Sequence, residues 1–586
     1  MESLEWNLDE LFESSEAFYA EIDKTKLLLE DIKKYEKIEM NASVLEEMLN
    51  EKWKIKEMSN NILVYGSLRY YKNINDEESI KLKKDAEEFN GEVNTKLMFI
   101  DRMILNLGID KVLLFVDENP KLETYRFSLC NLFRLKEHIK SNEINEKIIN
   151  KDIEDKRVKI SDFNPAIRRI NEKCINCGQC KKVCENIANI KYDLNIVNNP
   201  ICTACGKCIV NCPTGALVPK YEYREVKDII NRNDKIVIAI LSSGVKISLG
   251  DNFGLEYGTN IEKKAITALR KLGFDYVFNT GFGTDLSVIE EASSFINRIN
   301  TSSPLPQFTS CCPAWVRYAE IYHPELLNNL STVKSPIGCT CKMIKTYFAE
   351  KKGIDPNQIV TVAITPCTAQ KLEAKEYNEN IDYVLTAIEL SYLLKEEDIN
   401  LSTLQESEYD KEISASSSSS NIYTQTSGVM ESLLRTLYKM YTGKKPTTEF
   451  LDMKELEEDK DIRLASIKIE NKKINVAVVN GIKNVEKLLE NDYYKRLHLV
   501  EVMNCEGGCI SGSGQPLCQI GEIKNIIDKR KASNKLIDKK SKERCSYENK
   551  EMMKLYKEYL KNPLSERCIN MLHTSFTDKS NLLKQD

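Results

Sequence analysis

The segment KIVIAIL, residues 235–241, decides the fold class of this chain. A short apolar run rich in β-branched residues is typical of a buried strand. The segment NIEKKAITALRKLG at 260–273 has the apolar spacing of a helix and closes on a glycine, and YVFN at 276–279 has the character of a second strand. This alternation of strand and helix predicts an α/β domain.

Further apolar runs continue this pattern, and cysteines follow several of them. The runs are QF before TSCC, IVTVAI (359–364), NVAVV (475–479) and LHLVEVM (497–503). Cys311 and Cys312, Cys367 and Cys505 come just after three of these predicted strands. Ligands collect at the C-terminal edge of the strands in α/β sheets, so we expect these distant parts of the chain to converge on one site. The run ISASSSSSN (413–421) predicts a flexible loop instead.

Balanced charge and the lack of long apolar runs exclude several classes of function. The 586 residues include 84 Lys and Arg against 89 Asp and Glu, which gives no electrostatic case for nucleic acid or a membrane surface. No run of 18 apolar residues is present, so we expect no transmembrane helix. The start, MESLEWNLDE, lacks an apolar h-region, so we expect no signal peptide and a cytoplasmic location. A chain of this length predicts roughly three to five domains.

Cysteine is the unusual residue in the composition. The chain has 19 cysteines and only four histidines, and eight of the cysteines lie between positions 174 and 212. In a cytoplasmic protein we expect reduced thiols, so clustered cysteines indicate metal binding rather than disulfides. Thiolate-rich sites with little imidazole favour iron–sulfur clusters or zinc.

Residues 1–140 are expected to form an all-helical domain. Apolar residues recur at helical intervals in EAFYAEIDKTKLLLEDIKKYEKI, with charges between them. WNLDELFESSEAF, YGSLRYYKN and YRFSLCNLFRLKEH resemble the N-terminal helical domain of oligoendopeptidase F, a zinc peptidase. The chain contains no HExxH motif, so the resemblance implies a docking or packing module without that chemistry. Residues 141–165, polar and charged, are expected to be a linker.

Two cysteine runs with the same spacing predict a pair of iron–sulfur clusters. CINCGQCKKVC begins at Cys174 and CTACGKCIVNCP begins at Cys202, and both fit C-x2-C-x2-C-x3-C. Three cysteines of each run would hold one [4Fe–4S] cluster, and the fourth would cross to the other cluster. Zinc is the alternative, although structural zinc sites favour two separated C-x2-C pairs. The predicted ligand sets are Cys174, Cys177, Cys180 and Cys212 for one cluster, and Cys202, Cys205, Cys208 and Cys184 for the other.

Three further motifs supply cysteines for another site. They are TSCCPAW (309–315), TPCTAQKLE (365–373) and EVMNCEGGCISGSGQP (501–516), and Cys312, Cys367, Cys505 and Cys509 could complete a cluster. These motifs resemble the three signature motifs of [FeFe]-hydrogenases. The likeness runs from about 158 to 578, and it includes FGLEYGTN, FNTGFGTDLSVIEEA, ELLNNLSTVKSP and GVMESLLRT.

The resemblance implies a cofactor, the H-cluster, and roles for several residues. Its [4Fe–4S] part would be held by Cys312, Cys367, Cys505 and Cys509, and the Cys509 thiolate would bridge to a two-iron unit bearing carbon monoxide, cyanide and an azadithiolate. Cys311 would pass protons, with Glu291, Ser331 and Arg298 matching the proton path of the family. The cofactor-contacting residues would be Met503, Gln370, Lys371 and Ser335.

The chain departs from the family pattern at several of these positions. Gln370 stands where the family commonly has a lysine that donates to a cyanide, and a neutral amide is the weaker donor. Ser294 replaces a second carboxylate of the proton path, and Ser427 and Ser513 stand where glycines are usual. These departures bear on rate and direction more than on the identity of the cluster.

The sequence therefore predicts a multidomain iron–sulfur enzyme. The expected parts are a helical domain (1–140), a linker (141–165), a ferredoxin-like two-cluster α+β domain (166–222), an α/β H-cluster domain (223–525) and a helical small-subunit-like tail (526–580). The resemblance implies reversible conversion of protons and reduced ferredoxin, or a similar one-electron carrier, into dihydrogen, and it implies dependence on hydrogenase maturation proteins. The alternative is a dihydrogen or redox sensor of low turnover that uses the same cluster.

The remaining cysteines are not assigned to a cluster. Cys339 and Cys341 are expected to be small buried core residues or redox-active thiols near the site. Free cysteines are commonly buried, so Cys130, Cys518, Cys545 and Cys568 are expected to be structural.

Overall fold

The computed structural model describes residues 8, 11–73, 76–134, 164–190, 201–377, 380–446, 454–456, 459–469, 472–490, 492–516 and 523–584. The chain divides into two compact units, 1–153 and 154–586. Most of the predicted linker lies outside the described residues. The finer division of the second unit at residues 166, 223 and 526 stays a prediction.

The described residues of the first unit are mainly helical between 15 and 134, as the apolar periodicity predicts. Two 31-residue helices form its centre, and capping side chains begin them: Asn41 accepts from the backbone of Ser43 and Val44, and Asp76 accepts from Ser79. Aromatic and aliphatic side chains form its buried core. The helices are α1 Ser15–Asp31, α2 Ala42–Lys72, α3 Glu77–Leu107, α4 Ile109–Glu118 and α5 Arg126–Arg134.

The cysteine-rich segment repeats one local geometry. Strand β1 (Ile167–Arg169) pairs antiparallel with β2 (Leu217–Pro219). Between them, helices α6 (Gln179–Asn186) and α7 (Lys207–Val210) each begin after a glycine with a positive φ, +74° at Gly178 and +69° at Gly206. Glycine reaches this backbone conformation without steric cost, so the backbone of each cysteine run turns sharply between the second and third cysteines.

Two sheets, rather than one, organise the rest of the second unit. One has four parallel strands in the order β4-β3-β6-β7: β3 Ile236–Leu241, β4 Tyr276–Asn279, β6 Ile359–Thr365 and β7 Tyr383–Thr386. The other has the order β5-β11-β10-β9-β8: β5 Gln307–Phe308, β8 Lys454–Leu456, β9 Asp459–Ile469, β10 Lys472–Asn480 and β11 Leu499–Met503. Strands β5, β11 and β10 are mutually parallel, and β9 and β8 are antiparallel additions.

Helices pack around both sheets. The longest of these helices, α11 (Gly281–Thr301), is buried over most of its length, and the tail reaches it through a bond from the Tyr556 hydroxyl to Glu290 at 2.6 Å. The others are α8 Tyr223–Arg232, α9 Ser243–Lys246, α10 Glu262–Lys271, α12 Pro313–Tyr322, α13 Pro336–Met343, α14 Ala349–Lys352, α15 Ala369–Glu376, α16 Ala387–Glu396, α17 Ser419–Ile422, α18 Gly428–Thr442, α19 Ile482–Glu490, α20 Ile523–Lys540, α21 Lys550–Leu555 and α22 Glu566–Leu572.

The serine-rich segment is not a flexible loop, so that prediction is wrong. Residues 417–420 are all buried. The backbone N–H and hydroxyl of Ser417 donate to the Asp285 carboxylate at 2.7 and 2.6 Å, and the Ser418 hydroxyl donates to Asp538 at 2.7 Å. Composition suggested a flexible loop, but small hydroxyl side chains can be buried when each finds an acceptor, and the acceptors of Ser417 and Ser418 are distant in sequence.

Candidate active site

Five cysteines from three distant motifs line one cavity, as the strand pattern predicts. The cavity has an empty volume of about 760 Å³. Strands β5 and β11 are neighbours in the five-stranded sheet, whereas β6 belongs to the other sheet, so the C-terminal edges of both sheets meet here. The five cysteines are Cys311, Cys312, Cys367, Cys505 and Cys509.

Four of these thiols affect one another electrostatically. Burial raises the pKa of the Cys367 thiol well above its ordinary value, and the thiols of Cys505 and Cys312 raise it further. Burial also raises the pKa of Cys509, as do Cys367, Cys505 and Cys312. Thiols that must ionise together in a buried place need a shared cation, which an iron–sulfur cluster supplies.

Polar atoms without partners show what else the cavity can accommodate. Among the described residues, the side-chain oxygen of Gln370, both polar side-chain atoms of Asn504 and the Tyr423 hydroxyl are buried without a hydrogen bond, and all three residues line the cavity. A buried unpaired polar group costs about 1–3 kcal/mol. The thiols and these unpaired groups together fit a large iron–sulfur cofactor that also carries polar ligands. No group of three or more His, Cys, Asp or Glu in the described part of the chain is arranged to hold a single metal ion.

The eight cysteines of the two runs are grouped as their spacing predicts. Burial raises the pKa of Cys177, and the nearby thiols of Cys180, Cys212 and Cys174 act in the same direction. For Cys208, burial is again the largest cause of a raised pKa, followed by the other three members of its predicted set, Cys184, Cys205 and Cys202. Cys212 therefore lies near the cysteines that begin the first run, and Cys184 lies near those that begin the second.

These groups adjoin one another and the cavity in series. The thiol of Cys180, from the first set, also raises the pKa of Cys208 in the second. Burial raises the pKa of Cys505 at the cavity, and Cys205 of the second set acts in the same direction. Cys180 of the first set therefore lies near the second set, and Cys205 of the second set lies near Cys505 at the cavity.

Ser513, where the family usually has glycine, holds this junction together. Its hydroxyl donates to the carbonyl of Cys205 at 3.0 Å and lies 2.7 Å from the hydroxyl of Thr368, which itself donates to the carbonyl of Ala204 at 2.8 Å. Two hydroxyls from the second and third motifs thereby fix the turn that carries Cys205.

A chain of buried polar residues leads away from Cys311. Burial raises the pKa of the Glu291 carboxyl to about 8, while the Ser331 hydroxyl and Gln307 amide beside it act in the opposite direction. The Cys311 pKa is raised well above its ordinary value by burial and then by the charge of Glu291. Cys311 and Ser331 therefore each lie near Glu291, and their roles in a proton path stay a prediction. Gln307, a fully buried residue of β5, was not anticipated.

The Arg298 side chain binds the protein backbone close to Ser331. Its guanidinium donates to the carbonyls of Pro304, Asn328 and Leu330 at 3.1, 2.8 and 2.7 Å. These bonds hold the segment that precedes Ser331. Arg298 also lies close enough to Glu291 to lower the pKa of that carboxyl.

Lys371 and Ser335, both expected to contact the cofactor, do not line the cavity. The Lys371 ammonium is buried in an ion pair with Glu389 at 3.2 Å and Glu222 at 3.1 Å. Successive helical residues point about 100° apart, and on α15 Gln370 lines the cavity while Lys371 is directed to the two glutamates. Ser335 begins α13, where its side chain accepts from the Gly338 N–H and donates to Glu373 at 2.5 Å.

Two further residues at the site were missed by sequence reasoning. Glu501 is fully buried on β11 and accepts from the backbone of Ser427 and Met430 at the start of α18, at 2.8 and 2.7 Å, and burial raises its pKa to about 7. A carboxylate within the apolar run LHLVEVM was the available signal. Tyr423 lies beside Cys311, and nothing in its sequence context indicated this. Met503 lines the cavity as expected.

The other cysteines are packing residues where the structure describes them. Cys339, Cys341, Cys545 and Cys568 are buried, and Cys130 is half-buried. The first four are not among the cavity-lining residues. Cys518 lies outside the described residues.

Comparisons with known proteins identify related chains over most of the second unit. Residues 235–513 match the family "Iron only hydrogenase large subunit, C-terminal domain", and residues 524–579 match "Iron hydrogenase small subunit". The NADP-reducing hydrogenase subunit HndD of Solidesulfovibrio fructosivorans is 34% identical over 72% of this chain and 76% of its own length. A solved variant of [FeFe]-hydrogenase HydA1 from Chlamydomonas reinhardtii is 31% identical, with a TM-score of 0.55, and covers 61% of this chain and 99% of its own.

A second kind of relative also matches. The cytosolic iron-sulfur assembly component 3 of Rattus norvegicus is 27% identical over 64% of this chain and 82% of its own length. The resemblance of the N-terminal helices to oligoendopeptidase F stays a prediction. In the described part of the chain, no helix has both the length and the apolar character needed to cross a membrane.

Proposed function

Because the chain belongs to the iron-only hydrogenase family, we propose that it catalyses the reversible reaction of two protons and two reduced ferredoxins to dihydrogen and two oxidised ferredoxins. The observation that supports this most directly is the convergence of Cys311, Cys312, Cys367, Cys505 and Cys509 on one buried cavity. Hydrogenase maturation proteins would supply the two-iron unit, and a carrier similar to ferredoxin could replace ferredoxin.

The cysteines divide into ligands and a proton carrier. Cys312, Cys367, Cys505 and Cys509 would hold the [4Fe–4S] part of an H-cluster, and Cys509 would also hold its two-iron unit. When bound, this cofactor supplies an open iron at which protons and electrons combine. The Cys311 sulfur, at the cavity wall, holds and releases one proton, as a positioned general acid does.

Electrons would reach the cavity through the two cysteine groups. The set of Cys174, Cys177, Cys180 and Cys212 would receive them first, and the set of Cys184, Cys202, Cys205 and Cys208 would pass them on. Support comes from the proximity of Cys180 to Cys208 and of Cys205 to Cys505, and Ser513 fixes the turn of Cys205 by its bond to the Cys205 carbonyl.

Protons would travel through Glu291 and Ser331. A carboxyl whose pKa is about 8 is largely protonated at neutral pH and can still give up its proton to a neighbour. The Ser331 hydroxyl beside it can accept and donate within the same group, and Arg298 holds the backbone that carries Ser331. The family's second carboxylate is absent at Ser294, so the outer end of the path would use water.

The proposal is tested by anaerobic expression with the maturation machinery. We expect infrared bands from bound carbon monoxide and cyanide, and dihydrogen evolution from reduced ferredoxin. Cys509→Ala is the control, since it removes the shared ligand and should remove the bands. Iron-loaded wild-type protein that never shows these bands would overturn the H-cluster assignment and would favour a role closer to that of the assembly-component relatives.

A sensor of low turnover is the second candidate, and Gln370 favours it. This residue lines the cavity where the family commonly places a charged lysine, and its side-chain oxygen is buried without a partner. A neutral amide holds an anionic ligand less strongly than an ammonium does. Bands of normal intensity with negligible dihydrogen turnover would decide for the sensor. Gln370→Lys should then raise turnover.

A further inference from the structure

Residues 330–334, called the Ser331 segment below, bond along one edge to β5 and the first cavity motif. The Ser331 N–H donates to the carbonyl of Phe308 at 2.8 Å, and the Ser310 hydroxyl donates to the carbonyl of Val333 at 3.0 Å. Phe308 ends β5, and Ser310 belongs to TSCCPAW. This edge therefore joins the Ser331 segment to the cavity.

The tail bonds the opposite edge of the Ser331 segment. The Thr574 N–H donates to the carbonyl of Thr332 at 2.7 Å, and the Lys334 N–H donates to the carbonyl of Leu572 at 2.8 Å. Together they make a short antiparallel bridge between the tail and the segment. The Ser331 segment is thus held from both edges, by β5 and by the tail.

Helix α11 binds both ends of the same segment. The Ser287 hydroxyl donates to the carbonyl of Lys334 at 3.2 Å, and the Arg298 guanidinium donates to the carbonyl of Leu330 at 2.7 Å. Glu291 is four residues after Ser287 and seven before Arg298, a spacing that places all three on one face of the helix. The Ser331 segment therefore lies along the face of α11 that carries Glu291.

The register of this segment decides which side chain is buried there. Ser331 and Val333 are buried, whereas Thr332 and Lys334 are half-buried, as in an extended segment whose side chains alternate between two faces. A shift of one residue would exchange the two sets. The contacts that hold Thr332 in place therefore also keep Ser331 buried.

His573, in the tail, links Thr332 to α11. Its Nδ1 lies 2.8 Å from the Thr332 hydroxyl, and its Nε2 lies 3.1 Å from the carboxylate of Glu290. A carboxylate only accepts hydrogen bonds, so Nε2 donates to Glu290 and Nδ1 accepts from the Thr332 hydroxyl. One imidazole thus joins the Ser331 segment to the helix through side chains.

Glu290 is a rigid attachment point for this histidine. It is fully buried on α11, and its carboxylate also accepts from the Tyr556 hydroxyl at 2.6 Å and from the Leu564 N–H at 3.1 Å. Glu290 directly precedes Glu291 in the chain, just as Thr332 directly follows Ser331. The histidine therefore binds the immediate neighbours of both residues.

We propose that His573 is a positioning residue, which holds the Ser331 segment against α11 and so fixes Ser331 relative to Glu291. It acts through their neighbours, Thr332 and Glu290. The inference rests on the proposed function for its effect on turnover, whereas the position of the segment does not depend on turnover. On this proposal the tail is a working part of the proton path.

The experiment compares the full wild-type chain with His573→Ala, Thr332→Val and a matched control, His323→Ala. Thr332→Val removes the hydroxyl and nearly keeps the shape of the side chain. His323 is also half-buried, and its ring nitrogens bond Glu325 and Glu486, both at 2.8 Å. Neither glutamate belongs to α11 or to the Ser331 segment, so this control loses comparable bonds elsewhere.

The readouts are the unfolding midpoint, kcat and KM with reduced ferredoxin, and infrared spectra of the matured protein. The spectra give the carbon monoxide and cyanide bands and, at pH 6, the C=O band of the Glu291 carboxyl. That carboxyl is protonated at pH 6, since burial raises its pKa to about 8. Its band is identified by its loss in Glu291→Gln, and Ser331→Ala gives the band position without the hydroxyl.

We expect His573→Ala and Thr332→Val to move the Glu291 band toward its position in Ser331→Ala. They should lower kcat by about two- to tenfold, the effect of one ordinary hydrogen bond, and leave the KM for ferredoxin and the cyanide bands unchanged. His323→Ala should change the unfolding midpoint alone.

A wild-type Glu291 band in His573→Ala would overturn the proposal, whatever happens to the midpoint. It would also be overturned by a Glu291 band that does not respond to Ser331→Ala, or by a loss of turnover that comes with an altered KM for ferredoxin or shifted cyanide bands. If wild-type protein shows no carbon monoxide or cyanide bands, the proposed function fails, while the Glu291 band still decides the role of His573.

Discussion

Replacing Lys371 by methionine tests whether this lysine serves the fold or the cofactor. Lys371 is 2% exposed, and its ammonium bonds Glu389, Glu222 and the carbonyl of Val384. Methionine has a similar length and fills the same space without charge. The change therefore leaves the packing nearly intact and removes the countercharge of a fully buried carboxylate, Glu389.

Breaking a buried ion pair by removing one partner costs roughly 3–5 kcal/mol. For a unit of this size, a loss of that order lowers the unfolding midpoint by about 3 to 6 °C. Burial already raises the pKa of Glu389 above 4.5, and Lys371 lowers it, so Lys371→Met raises that pKa further. A carboxyl with a raised folded-state pKa loses stability as pH increases, so the destabilisation should be larger at pH 8 than at pH 5.

The assay is thermal unfolding of the two variants Lys371→Met and Lys375→Met at both pH values, with infrared spectra of matured protein. Lys375 is an exposed lysine of the same helix, and its replacement should change neither the midpoint nor the spectrum. We expect Lys371→Met to unfold at a lower temperature and to keep wild-type cyanide bands. A wild-type midpoint combined with shifted cyanide bands would show that Lys371 contacts the cofactor, and the structural argument would be wrong.

Three other substitutions address the proton path and the cluster junction. Cys311→Ala should keep the carbon monoxide and cyanide bands but lose most dihydrogen turnover, and loss of the bands would instead indicate a ligand role. Glu291→Gln should slow turnover by about a hundredfold or more. Because burial raises the pKa of Glu291 to about 8, the unfolding free energy of the wild type should decrease between pH 4.5 and about 8, and Glu291→Gln should remove this decrease. An unchanged pH profile of stability would contradict that pKa. Gly206→Ala would place a Cβ 2.3 Å from the Ser513 hydroxyl and should lower the amount of bound iron. Gly353 has a similar φ, but a Cβ there would meet nothing within 4 Å, so Gly353→Ala should not lower it. Equal iron content in both variants would refute the close-contact argument.

Local signals in the sequence were sufficient for much of the fold. The strands at 235–241 and 276–279 and the helix between them form nearly as predicted. A helix buried on one face needs apolar residues at a regular spacing, and a fully buried strand needs a continuous apolar run, so both can be recognised in the sequence. The hairpin of β8 and β9 was missed, and the serine-rich segment was misread. For the serine-rich segment the deciding contacts come from residues far away in sequence, such as Asp285 for Ser417.

The sequence by itself predicted which cysteines of the two runs lie near one another, because a cluster-binding run repeats a fixed ligand spacing, and the neighbours of Cys177 and Cys208 agree with that prediction. The strand pattern predicted that Cys312, Cys505 and Cys367 would meet, but only the tertiary structure decided that they do so across two sheets, with β5 and β11 ending beside β6. It also decided that Gln370 faces this cavity and Lys371 does not. Strand pairing and helix orientation depend on the burial of whole faces, so a single short motif does not specify either of them.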